Sequence, residues 1–128
     1  MSQERKLVHL NCKFTECYTA YGDGRFELRE NGRQVWGDRK FHFQRFDDVP
    51  WTWKVVPGWG LCLGNREATV SKEKLYAQYL GTIPGVSLND VTEVEIDRYT
   101  GKIDIESKRY SSGNLVGRER RRGICNPI

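Results

Sequence analysis

A chain of 128 residues fits one domain and is long enough to bury a core without extra staples. Five Phe, four Trp and six Tyr make it too aromatic for a disordered segment, and its apolar runs are too short to span a bilayer. The net charge of +4 is uneven: residues 1–107 hold 15 Lys and Arg against 16 Asp and Glu, so the surplus lies in 108–128, where six basic residues accompany one acid, Glu119.

The opening Met1–Lys6 is polar, without an apolar leader. That reads as a cytoplasmic protein, or as an exported one if a leader was removed. Residues 8–14 alternate, with Val8, Leu10, Cys12 and Phe14 on one face and His9, Asn11 and Lys13 on the other, the pattern of a half-buried strand. Gly22-Asp23-Gly24 punctuates the chain, and Phe26 and Leu28 then alternate with charged residues. Asn31-Gly32 is a hairpin signal, with Val35 and Trp36 starting the return strand.

Phe41 and Phe43 mark another strand, and Phe46 breaks its alternation. Between Pro50 and Pro57, Trp51, Trp53 and Val55 share a strand face. Leu61 and Leu63 suit a short strand between glycines. Over 71–81, Ser71 as a cap, Gly81 as a stop and Leu75, Tyr76, Tyr79 and Leu80 on one helical face suggest a single short helix, although the segment is short enough to be a strand.

Val94 and Ile96 alternate with acids, as do Ile103 and Ile105. A loop over Arg98-Tyr99-Thr100-Gly101 pairs Ile96 with Ile103 and Val94 with Ile105, with Gly101 supplying positive φ. The same register sets Glu95 against Asp104 and Glu93 against Glu106, and like charges directly opposite are destabilising. A three-residue loop over Ser111-Ser112-Gly113 then brings Arg118 opposite Glu106 and Arg120 opposite Asp104. The expected architecture is all-β or β-rich α+β: one domain over 1–128, an antiparallel barrel or sandwich of about seven short strands with at most one helix near 71–81.

Candidate sites follow from this frame. Arg118, Arg120, Arg121 and Arg122 read either as phosphate contacts on nucleic acid or as a cross-strand ion network with the acidic stripe. Arg121 and Arg122 are the better candidates for free contacts. Trp51 and Trp53 read as core or as stacking platforms, and Trp59, between Gly58 and Gly60, as an exposed loop anchor. His9 and His42 fall on polar strand faces, with no partner pattern for a general base or for a Cys62–His42 nucleophile pair. Asp47-Asp48 reads as a turn before Pro50. Four cysteines, Cys12, Cys17, Cys62 and Cys125, allow three pairings, and their spacing does not suit zinc. No metal or cofactor is expected.

The run Val94-Glu95-Ile96-Asp97-Arg98-Tyr99-Thr100-Gly101-Lys102, followed by Gly123-Ile124-Cys125, resembles the ending of many small, mostly uncharacterised bacterial all-β proteins. Those carry an Ile-[Asp/Asn]-Arg-x-[Thr/Ser]-Gly hairpin, a Gly-x-Cys near the end and a cysteine in the first strand, which Cys12 matches. The resemblance implies a bacterial or phage origin and, as in exported members, a Cys12–Cys125 bridge; it implies no activity.

By elimination the chain reads as a non-enzymatic binding or inhibitory module acting on a protein partner, away from membranes. The alternatives are a nucleic-acid-binding module using the Arg118–Arg122 strand, and a small enzyme using a histidine. An unpaired edge strand would also allow a homodimer.

Overall fold

The computed structural model describes residues 6–29, 38–45, 50–56, 66–82 and 88–127. They form nine strands: β1 (Lys6–Tyr21), β2 (Glu27–Leu28), β3 (Asp38–Arg45), β4 (Thr52–Val56), β5 (Arg66–Val70), β6 (Lys74–Thr82), β7 (Leu88–Asp97), β8 (Lys102–Ser111) and β9 (Asn114–Pro127). All pair antiparallel in the order β2-β1-β3-β4-β5-β6-β7-β8-β9, and β9 also pairs with β1, so the sheet curves into a ring. The architecture is all-β, with nine strands where about seven are expected. β5 is not among the expected elements and β6 takes the place of the expected helix, while the expected strands at 35–36 and at Leu61 and Leu63 lie outside the described residues.

The expected helix over 71–81 is replaced by β6. Ser71 does cap, but it caps a turn: its hydroxyl accepts from the amides of Glu73 and Lys74, and its own amide donates to the Lys74 carbonyl. Leu75 and Ala77 then point inward with period two, paired with Ile96 and Val94 of β7. In so short a segment the helical set at 75, 76, 79 and 80 competes with a period-two set that includes 75 and 77, and cross-strand pairing decides.

The core is the inner face of the ring. Leu10, Cys12 and Phe14 of β1, Phe41 and Phe43 of β3, Trp53 of β4, Leu75, Val94, Ile96, Ile103, Ile105 and Cys125 are all buried. Trp53 stacks with Phe41 and Phe43 at centroid distances of 6.4 and 6.5 Å. Cys12 and Cys125 lie directly opposite each other on β1 and β9 and are joined by a disulfide. Gly123 permits the close approach of these strands: a Cβ there would clash with the Lys13 carbonyl oxygen.

The β7–β8 hairpin has the expected register, with Ile96 opposite Ile103 and Val94 opposite Ile105, and Gly101 at φ 76°. The Asp97 carboxylate holds its loop by accepting from the amides of Tyr99 (2.9 Å) and Thr100 (3.0 Å). These bonds, Thr100 first, hold its pKa below the ordinary value. A depressed folded pKa stabilises the fold above the unfolded pKa, and that contribution disappears as pH falls through the folded value. The melting temperature of the wild type is therefore expected to fall faster than that of Asp97→Asn as pH drops from 5 towards about 2. Parallel curves in thermal melts at each pH would contradict this.

The β8–β9 hairpin departs from expectation. Its loop has two residues, Ser112 and Gly113, both at positive φ (49° and 81°), and Val116 bulges so that Arg109 pairs with Gly117. The loop and the bulge together move the register by two residues, which leaves every side chain on its expected face. Arg118 is now opposite Lys108, Arg120 opposite Glu106 and Arg122 opposite Asp104.

Candidate functional site

The outer face of β7, β8 and β9 carries the predicted charge stripe. Glu95 and Asp104 are cross-strand neighbours, and each finds a cation: Lys74 Nζ is 2.5 Å from Glu95, and Arg120 reaches diagonally to Asp104 through Nε (3.1 Å) and Nη2 (2.6 Å). Arg122 adds a second contact to Asp104 at 3.5 Å. A bidentate, partly buried pair of this kind contributes on the order of 1 kcal/mol. Two of the four predicted arginines are thus held by an acid of the stripe.

Arg118 and Arg121 are placed differently. Arg118 turns to the 22–26 loop, donating from Nε to the Gly22 carbonyl (2.9 Å) and from Nη2 to the Gly24 carbonyl, with its guanidinium carbon 4.5 Å from the Phe26 ring centroid. Arg121 is 7% exposed on the inner side and donates to Glu119 at 2.8 Å. Trp53 lies in the core, Trp51 is half-buried against it, and Trp59 lies outside the described residues, as do Trp36, the 31–32 turn, Asp47-Asp48 and Cys62. His9 and His42 face each other across β1 and β3 with ring centroids 4.1 Å apart.

A site not anticipated from the sequence emerges when the inner face is followed strand by strand. Cross-strand partners share a face, so β1, β9, β8, β7 and β6 build layers. Phe14, Gly123, Ile103, Ile96 and Leu75 form an apolar layer. Cys17, Arg121, Ile105, Val94 and Ala77 form the next, with the register shift at Thr15 bringing Cys17 inward. Above it the lining turns polar: Thr19, Glu119, Ser107 and Thr92, then Tyr21, Gly117, Arg109 and Asp90. These two upper layers line an open recess of about 640 Å³ at one end of the ring.

The polar groups of the recess are organised. Thr92 is buried and its hydroxyl lies 2.9 Å from that of Ser107. Arg109 clasps Asp90 through Nε (2.9 Å) and Nη2 (3.4 Å). Arg29 donates from Nε to the Thr19 hydroxyl at 2.8 Å. Below them the Cys17 thiol is buried, and burial raises its pKa despite the neighbouring Arg121. Two apolar side chains of its lining stand exposed: Tyr21 (86%) and Val116 (42%).

The signal was present in the alternation. Asp90 and Thr92 continue the inward face of Val94 and Ile96, while Ser107 and Arg109 continue that of Ile103 and Ile105. A hairpin places those two polar ends at the same level. Arg29 gave no such signal, because β2 and its pairing to Tyr18 and Thr19 are tertiary outcomes.

Among the described residues no group of three or more His, Cys, Asp and Glu is placed to hold a metal ion, and no helix is long and apolar enough to cross a membrane. Comparison with protein-family models, curated proteins and solved structures gives no match to this chain.

Proposed function

We propose that the protein is a non-enzymatic binding module that engages a protein partner at the polar end of its ring. The reading takes the ring as a closed antiparallel barrel whose strands hold the recess rigid. The observation that carries it is the exposed pair Tyr21 and Val116 on a recess furnished with Arg29 and Arg109. An aromatic and apolar rim around fixed arginines and hydroxyls is the composition of protein interface hot spots. The nucleic-acid reading is weaker, because Arg120 and Arg122 are committed to Asp104 and the recess mixes acids with bases. The Cys12–Cys125 bridge favours an oxidising compartment over the cytoplasm.

The test is site-specific photo-crosslinking in the native host. A photoreactive residue at Tyr21 is expected to capture a defined protein, and unlabelled wild-type protein to compete for it. The same probe at Tyr99, which is 76% exposed on the loop at the other end of β7, is expected to capture none. Equal capture from both positions, or none from Tyr21, would remove the proposal.

A further inference from the structure

His9 and His42 are the only histidines of the chain, and the fold sets them against each other. They are direct cross-strand partners on β1 and β3, with ring centroids 4.1 Å apart and ring planes tilted by 32°. Their chain neighbours Leu10, Phe41 and Phe43 are buried in the core, so both imidazoles stand on the outer face, where each is half-buried. The recess lies elsewhere, and neither histidine lines it.

The backbone under the pair is held on several sides. β3 is hydrogen-bonded on both edges, to β1 and to β4, and β1 is paired with β9 from Leu10 onward. A metal–imidazole bond is about 2.0–2.1 Å long, so two nitrogens in adjacent positions of one ion stand about 3 Å apart. Imidazoles with centroids at 4.1 Å reach that separation by turning about their side-chain torsions, without movement of either strand. Strands that already hold two donors side by side lower the ordering cost of bringing them to one ion.

We propose that His9 and His42 form a two-imidazole chelate for a divalent transition-metal ion of the copper, nickel or zinc kind, the ions that imidazole suits. The register positions flanking the pair are Leu7 and Asn11 on β1, Lys40 and Gln44 on β3 and Lys54 on β4, and none is a carboxylate. The protein thus contributes two donors, and the ion's other positions are filled by ligands from outside. Those outer ligands are anionic. Lys40, two residues from His42 on the same face, is exposed and repels a bare dication more than an ion already carrying carboxylates. This chelate does not depend on the protein-partner reading.

The experiment is a calorimetric titration of the untagged full chain with the Ni²⁺ complex of nitrilotriacetate, a net anion that leaves two adjacent positions of the metal open. One complex is expected to bind per chain. Because histidine occurs nowhere else, His9→Gln and His42→Gln are each expected to weaken binding about a hundredfold, the advantage of a second donor held in place. The double variant is expected to lose little more than either single one, as for groups that act as a unit. In the wild type the imidazole ¹H–¹⁵N signals of both residues are expected to broaden together as the paramagnetic complex is added, which requires no variant to fold. The complex is also expected to raise the melting temperature of the wild type and of neither single variant.

Binding unchanged in both single variants, loss in one of them only, broadening of a single imidazole, or one complex shared between two chains would overturn the proposal.

Discussion

Replacing Trp53 by alanine is expected to lower the unfolding free energy by about 3–5 kcal/mol, a large fraction of the total for a domain of this size. The side chain is 1% exposed, and it stacks with both Phe41 and Phe43. Truncation leaves a void bounded by rigid rings on a curved sheet, which cannot collapse to fill it. Trp53→Phe separates packing from polarity. The indole N–H is buried and finds no acceptor among the described residues, so the phenyl ring loses volume but removes an unsatisfied donor. Its expected loss is about 1–2 kcal/mol. Urea unfolding of the three proteins checks both values. Similar losses for the two variants would show that the indole nitrogen has a partner that matters.

Breaking the Cys12–Cys125 bridge is the second large effect. The bond joins residues 113 apart in sequence, almost the whole 128-residue chain. In the chain-entropy view a loop of that length restrains the unfolded ensemble by about 4–5 kcal/mol, and loss of a native bridge from a small domain typically removes about 2–5 kcal/mol. The double variant Cys12→Ser with Cys125→Ser is expected to show a loss in that range. Both positions are buried, and two serine hydroxyls there would need each other as partners. Cys12→Ala with Cys125→Ala removes that polar burden and isolates the contribution of the cross-link. A change below about 0.5 kcal/mol in the alanine pair would mean that the strand pairing between β1 and β9 alone fixes the ring closure.

Much of this fold can be read from the chain. The alternations over 8–14, 41–43, 94–96 and 103–105 identify inward faces because the ring separates one apolar side from one solvated side. Gly101 identifies the loop that needs positive φ. The 71–81 segment is ambiguous because a helical set at 75, 76, 79 and 80 and a strand set at 75 and 77 overlap within it, and only Ile96 and Val94 on the next strand select between them. The basic strand shows how a register error can leave a pairing intact. The Ser112-Gly113 turn and the Val116 bulge each add one position, so faces are kept and Arg120 still reaches Asp104, now from the diagonal. The recess was hidden for another reason: it is assembled from the ends of strands distant in sequence, and no local window contains it.

The pairing of β9 with β1 also governs when this protein can exist during its own synthesis. β1 is made first, yet half of its hydrogen-bonding edge belongs to residues 117–127. Until those residues emerge from the ribosome, β1 and β8 each present a long unsatisfied edge, and the aromatic interior has an open side. Contacts this distant close slowly, and an open sheet invites pairing with a neighbouring chain. A nascent chain halted before Asn114 is therefore an adhesive ribbon rather than an incomplete ring. It is the stage at which a chaperone would decide between product and aggregate, because the Cys12–Cys125 bridge can form only once residue 125 has been made.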